Sequence, residues 1–110
     1  MEKMQALHEE VDPLVHEPSR LAIMASLLSS PATFAELREA TELTDGNLDA
    51  HLKRLEEAGY VRKEERKNLL IRRQRETVFD LTAKGRKSFD SYIDSMERKI
   101  KEVKKVASLS

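Results

Sequence analysis

The sequence predicts a mainly α fold with a small antiparallel β-hairpin (α+β). Three observations carry that expectation. Two capped helical patterns joined by a short connection occupy the middle of the chain. Two strand-like segments with a base-rich stretch between them follow. A long helical run with apolar residues at heptad spacing then closes the chain. The 110 residues fit one domain. Apolar residues make up 39%, enough for one modest core, and the 36% charged residues leave a strongly solvated surface. Phe34, Tyr60, Phe79, Phe89 and Tyr92 are the aromatic residues, so the core rests mainly on Leu, Ile, Val and Ala. The absence of cysteine excludes a disulfide framework, a thiolate nucleophile and any cysteine-based metal or redox site. It also fits a cytoplasmic protein. No apolar run approaches the roughly 20 residues of a membrane span, and the first residues do not read as a signal peptide.

From residue 2 to about residue 12, Met4, Leu7 and Val11 recur at helical spacing, which predicts a first helix. Pro18 suits the first position of the next one, where its missing N–H costs nothing. Across residues 19–29, Leu21, Ile23, Met24, Leu27 and Leu28 make a nearly all-round apolar helix, hence a central one. Thr33-Phe34-Ala35-Glu36 matches a capping box, a threonine N-cap with glutamate three residues on, and opens a short helix ending near Ala40. Thr44 caps another, whose Leu48, Leu52 and Leu55 share one face until Gly59 closes it. Two short helices with a tight connection form a helix-turn-helix pattern.

After Gly59 the period changes. Residues 60–64 begin one strand, residues 76–81 alternate as a second, and the Arg-rich residues 67–75 lie between them. A helix-turn-helix followed by a hairpin with a basic tip is the winged-helix arrangement. Thr82 then caps a helix to about residue 106, in which Phe89, Ile93, Met96, Ile100, Val103 and Ala107 follow a heptad seam. With Met4, Leu7, Val11 and Leu14, this seam reads as a dimer surface built from both chain ends. The alternative is that the terminal segments pack on each other within one chain. The division expected is a helical arm over 1–17, a winged helix-turn-helix core over 18–82 and a dimerisation helix over 83–110.

The formal net charge of zero hides an asymmetry. Residues 1–45 hold nine acids and three bases, whereas residues 46–110 hold eleven acids and seventeen bases. Seven of those bases (Arg62, Lys63, Arg66, Lys67, Arg72, Arg73 and Arg75) fall within residues 61–75, against Glu64 and Glu65.

Four pieces in order carry a family resemblance. They are Asp12-Pro13-Leu14-Val15-His16 with Pro18, Arg20 and Leu21; Leu43-Thr44-Asp45-Gly46-Asn47-Leu48 with His51-Leu52; Leu55-Glu56-Glu57-Ala58-Gly59-Tyr60-Val61; and Leu81-Thr82-Ala83-Lys84-Gly85-Arg86. Together they resemble the small one-domain winged-helix regulators related to the MarR and ArsR families. The resemblance implies a transcriptional regulator that binds double-stranded DNA as a homodimer on a pseudo-palindromic operator. It also implies a cleft for a small-molecule effector, whose identity no residue suggests. Relatives often carry glycine and proline at the wing tip. Their absence between Arg72 and Arg75 implies a longer or less sharply turned wing.

With Leu48, Leu52 and Leu55 turned inward, the helical step puts Gly46, Asn47, Ala50, Lys53 and Arg54 on or beside the outer face. Gly46 removes a side chain where the helix start must approach the duplex. Asn47 suits adenine, or else only stabilises the helix start. Arg54 suits guanine or a phosphate, and Lys53 a phosphate. The helix starts at Thr33 and Thr44 offer N–H groups to phosphates. His51, flanking the apolar face, reads as packed or phosphate-touching. Lys67 belongs to the basic run, and Arg72, Arg73 and Arg75 suit the adjacent minor groove. Asp45 and Asp49 oppose phosphate contact or accept from cytosine.

Catalysis finds no support. His8, His16 and His51 lie in separate elements with no second ligand at a metal-binding spacing, and neither a phosphate loop nor a nucleophile motif occurs. No catalytic residue, metal or cofactor is expected. The other reading of the chain is a winged helix that docks on protein without binding DNA.

Overall fold

The structure, a computed structural model, describes residues 4–71 and 74–109. Its elements run α1 (Pro18–Ser26), β1 (Ala32–Thr33), α2 (Phe34–Thr41), α3 (Asp45–Glu57), β2 (Val61–Lys67), β3 (Arg75–Leu81) and α4 (Ala83–Ser108), after a 3-10 turn at Ala6–His8. This is the winged-helix fold, mainly helical with one small antiparallel sheet.

Each helix begins on a side-chain acceptor. Glu17 Oε2 takes the Arg20 N–H at 2.8 Å ahead of Pro18. Both halves of the predicted capping box form, since the Glu36 N–H donates to Thr33 Oγ1 and the Thr33 N–H to Glu36 Oε1, each at 3.2 Å. Thr44 and Thr82 likewise accept from Asn47 and Gly85. At the far end of α3, Gly59 has φ +78, the Gly59 N–H reaches the Glu56 carbonyl and the Tyr60 N–H reaches the Leu55 carbonyl, both at 2.9 Å. That doubly bonded stop is why glycine ends this helix.

The expected N-terminal helix does not form. Among residues 4–17 the only helical hydrogen bonding is the short 3-10 turn and a turn over Asp12–His16. The segment runs along α4 instead, and α4 side chains satisfy its backbone. Glu102 accepts the Ala6 and Leu7 N–H groups at 3.1 and 3.2 Å, and Lys99 Nζ donates to the Ala6 and Glu9 carbonyls at 2.6 and 2.7 Å. Arg98 and Ser95 bind the Glu9 carboxylate at 2.9 and 3.1 Å. The Arg98 hydrogen bond is the main reason the Glu9 carboxyl titrates below the ordinary range. A helix of about ten residues is marginal alone, so these partners override its helical spacing.

The sheet has the order β1-β3-β2, with both pairs antiparallel. The two-residue β1, missing from the sequence reading, pairs Ala32 with Phe79 and Thr33 with Val78. In the hairpin, Val61 faces Leu81 and Lys67 faces Arg75, so both strands reach further toward the tip than expected. Only Val61 of β2 is buried, whereas β3 buries Val78, Phe79 and Leu81 near its base. The ribbon therefore leaves the core and stands in solvent. Its six steps span about 20 Å at ~3.3 Å per residue.

Ile23, Met24, Leu27, Leu37, Leu48, Leu52 and Leu55 fill the centre, joined by Val15, Val61, Phe79, Leu81, Phe89 and Tyr92. The first half of α4 thus belongs to the core. Around Tyr60 three elements meet. The Thr82 N–H donates to the Tyr60 carbonyl at 3.0 Å, Thr82 Oγ1 to the Gly59 carbonyl at 2.5 Å, and Lys84 Nζ to the Ala58 carbonyl at 2.9 Å. The Tyr60 hydroxyl donates to Asp12, which holds its titration above the ordinary phenol value and ties the N-terminal segment to the same point.

A Cβ on Gly85 would sit 2.1 Å from the Tyr60 carbonyl oxygen, whereas one on Gly46 would meet nothing within 4 Å. Helix propensity favours alanine at either by up to about 1 kcal/mol, but the backbone overlap outweighs it at Gly85. Gly85→Ala is expected to cost about 3 kcal/mol, read as a lower urea midpoint, while Gly46→Ala leaves the midpoint unchanged or raised. Equal midpoints for the two variants would refute the close contact.

Candidate nucleic-acid interface

The outer face of α3 carries Gly46, Asn47, Ala50, Lys53 and Arg54, all exposed, opposite Leu48, Leu52 and Leu55, all buried. Arg54 has no ion-pair partner among the described residues. The two carboxylates that oppose phosphate are both neutralised. Asp45 pairs with Arg38 of α2 at 3.0 Å, and Asp49 with Lys53 at 2.9 Å. The Asp49 hydrogen bond raises the Lys53 titration above its ordinary value. Exposed pairs of this kind contribute at most about 1 kcal/mol, so Lys53 can exchange Asp49 for a phosphate at little cost.

The helix starts differ. At α3, Thr44 takes the Asn47 N–H at 3.2 Å, which leaves the first two N–H groups of the helix as donors for a phosphate. At α2 the capping box sets the Glu36 carboxylate against Thr33. The Thr33 N–H and hydroxyl hold that carboxyl below its ordinary range. A negative charge therefore sits where a phosphate contact at Thr33 was expected.

His51 is half-buried, and its Nδ1 accepts from Arg20 Nη1 at 3.2 Å, with Glu17 Oε2 at 3.9 Å. Arg20 is only 7% exposed. It also donates to the Leu14 carbonyl at 2.5 Å and the Pro13 carbonyl at 3.5 Å. Burial raises the Glu17 titration, but the Arg20 and Ser19 N–H groups and the nearby His51 and Arg20 leave it below the ordinary range. His51 is thus a packed residue that joins α3 to α1 through a buried guanidinium. Arg20 appeared in the sequence only as part of a family signature. Nothing in composition marks it as a buried charge.

The hairpin carries fewer unpaired bases than its sequence suggests. Arg66 pairs with Glu76 across the strands at 2.8 Å, and Arg62 with Glu64 at 2.5 Å and Asp80 at 3.5 Å. Arg75 lies 3.8 Å from Glu65, and Lys63 lies 3.9 Å from Glu56 with its ammonium 5.8 Å from the centre of the Phe79 ring. Lys67 forms no ion pair among the described residues. Arg72 and Arg73 lie outside the described residues. The strand register thus places Glu76 and Asp80 beside bases that the linear count left unopposed. Beyond Lys67 the tip exposes Leu69 and Leu70 almost fully, a feature the charge count passed over.

The residues expected at a dimer interface split into two groups. Phe89 lies in the chain's own core, with Ile93 and Met96 packed against it and half-buried. Ile100 and Val103 are 50% and 53% exposed, Met4 and Leu7 are exposed, and Val11 is half-buried. No group of three His, Asp or Glu side chains able to hold a metal occurs among the described residues. No helix among them is long and apolar enough to cross a membrane.

The family described as winged helix DNA-binding domain matches residues 19–100. An uncharacterized protein of Methanocaldococcus jannaschii is 47% identical over 60 residues, 54% of this chain and 62% of the relative, so the chain spans under two thirds of that relative's length. A transcriptional regulator homologue from Pyrococcus horikoshii superposes with a TM-score of 0.74 at 27% identity, covering 90% of this chain and 93% of that one. A regulator of the MarR family from Enterococcus faecalis gives 0.73 at 21% identity over 94% and 87% of the two chains. PadR of Bacillus subtilis, solved with operator DNA, shares the fold at 0.57 and 12% identity over 67% of this chain and 45% of that one.

Arg20→Met keeps the aliphatic stem but strands the Leu14 and Pro13 carbonyls and His51. The expected cost is about 3 kcal/mol in urea unfolding. A cost under about 1 kcal/mol, the level of an exposed pair, would show that the guanidinium does not hold α1 to α3.

Proposed function

The chain belongs to the winged helix DNA-binding domain family, and on that premise we propose that it is a sequence-specific transcriptional regulator, binding double-stranded DNA as a homodimer on a pseudo-palindromic operator. The α3 helix enters the major groove, with Asn47 and Arg54 at base edges and Lys53 and Gly46 at the backbone. His51 stays packed behind them, and Thr44 and Ala50 border the contact. The wing follows the phosphates or minor groove through Lys67, Arg72, Arg73 and Arg75. Thr33 contributes least, because Glu36 occupies its helix start.

One observation carries this reading best. An exposed, polar α3 face is held beside a ribbon that leaves the core, and the contacts around Tyr60 fix the two together. PadR, of the same fold, was solved on operator DNA, which supports DNA as the partner here. The chain has no catalytic role in this reading. The effector cleft of this reading lies between the terminal segments and α1.

Ile100 and Val103, exposed with Met4 and Leu7, supply the homodimer contact. Phe89, Ile93 and Met96 support it from inside the chain. On this division residues 1–17 are an arm, 18–82 the DNA-binding core, and 83–110 the helix that reaches the second copy.

Fluorescence anisotropy on the upstream region of its own gene, against a scrambled duplex and over several salt concentrations, tests the reading. Salt-sensitive binding that favours the upstream region is expected. No binding to either duplex at low salt overturns it and favours a winged helix docking on protein, which the acid-paired ribbon also suits. Replacing Arg72, Arg73 and Arg75 with Ala should reduce the slope of log affinity against log salt by about 2–3, since each phosphate contact contributes ~0.9. An unchanged slope removes the wing from the phosphates. Ile100→Asp should yield monomers in light scattering together with weaker operator binding. A variant that remains dimeric puts the interface elsewhere.

A further inference from the structure

Just past β2, residues 68–71 form a turn that carries three apolar side chains. Asn68 Oδ1 accepts the Leu70 and Ile71 N–H groups at 2.9 and 3.3 Å, and the Asn68 N–H donates to the Gln74 carbonyl at 2.9 Å. This turn holds Leu69 and Leu70 at 98% and 95% exposure, with Ile71 half in solvent. The other large exposed apolar side chains among the described residues are Met4 and Leu7 near the N-terminus and the α4 end from Ile100 to Leu109. Those belong to the surface assigned above to the second copy. The tip leucines have no such account, and contiguous exposed apolar side chains mark contact sites.

Resting on the DNA-binding reading above, we infer that Leu69 and Leu70 form an apolar wedge that enters the minor groove beside the α3 site and partly unstacks one base step. The occupant follows from what flanks the tip. Lys67, unpaired among the described residues, and Arg75, only loosely paired with Glu65 at 3.8 Å, close the strands directly beneath it. Cations around an apolar point suit a surface that is anionic at its rim and apolar between its stacked bases. The minor groove, about 6 Å wide, excludes the ribbon but admits side chains. Leucine is among the residues that wedge apart base steps from that groove. Pyrimidine–purine steps, the most easily unstacked, are the expected targets.

The L69S/L70S double variant tests this on a duplex spanning the upstream region of its own gene. Both side chains are in solvent, so the urea midpoint should match that of the parent. Permanganate, which attacks unstacked thymines, should mark a step in the parent complex that the variant leaves protected. Affinity should fall about tenfold with an unchanged salt slope, because no phosphate contact is removed. Equal affinity and equal thymine reactivity in parent and variant overturn the wedge while leaving DNA binding intact. A variant that binds the duplex like the parent but no longer self-associates in sedimentation also overturns it, assigning the tip to a second copy. A parent that binds no duplex defeats the DNA reading itself, and the wedge with it.

Discussion

The Tyr60 carbonyl accepts the Thr82 N–H at 3.0 Å, and Gly85 lies so close that an added Cβ would come within 2.1 Å of the same oxygen. Three elements are thereby fixed at one point. The α3 helix ends there on its glycine stop, the hairpin both leaves and returns there, and α4 starts there. Thr82 and Lys84 also donate to the carbonyls of Gly59 and Ala58, just past the end of α3. The angle between the exposed α3 face and the ribbon therefore depends on a backbone contact rather than on mobile surface side chains. A hinge of ordinary loop residues would leave the two as independent ligands for a duplex. This junction presents them as one surface.

Electrostatics on that surface is a matter of exchange. Along the ribbon and on α3 most bases hold an acid, and the distances, 2.5–3.9 Å, span good hydrogen bonds to loose pairs. Such exposed pairs contribute little, and salt screens them. A phosphate backbone offers a denser row of charge and the release of its counterions. The acids thus lower the general attraction to nucleic acid, which makes the net contribution of shape and base contacts relatively larger. The buried Arg20 is a different case. Its guanidinium is buried and bonded to Leu14, Pro13 and His51 of the same chain, so it belongs to the scaffold and not to the binding charge.

Much of the fold was legible because its signals are local. Capping threonines at 33, 44 and 82, the glycine stop at 59 and the apolar period of α3 act within four or five residues of themselves, and each lies where the sequence put it, whereas α1 stops at Ser26, short of the expected residue 29. The two-residue β1 was not legible, since it exists only through its pairing with Val78 and Phe79. The N-terminal helix failed for a related reason. Its apolar spacing was genuine, but Glu102, Lys99, Arg98 and Ser95 of α4 offered its backbone and Glu9 better partners than a short isolated helix could.

At the candidate site the outer α3 face was readable from the 100° helical step alone, because one buried stripe fixes the opposite one. The linear sequence therefore determined which residues of α3 face outward, where three helices begin and that a hairpin follows them. Charge partners were not readable. Whether Lys53 is free, whether Arg66 meets Glu76 and whether Arg20 is buried depend on register and on packing between elements far apart in sequence. The tertiary structure alone decided those, and it decided as well that Phe89 lies inside the chain while Ile100 stays outside. Side-chain period names a helix face, but only the surrounding elements determine whether that face is covered.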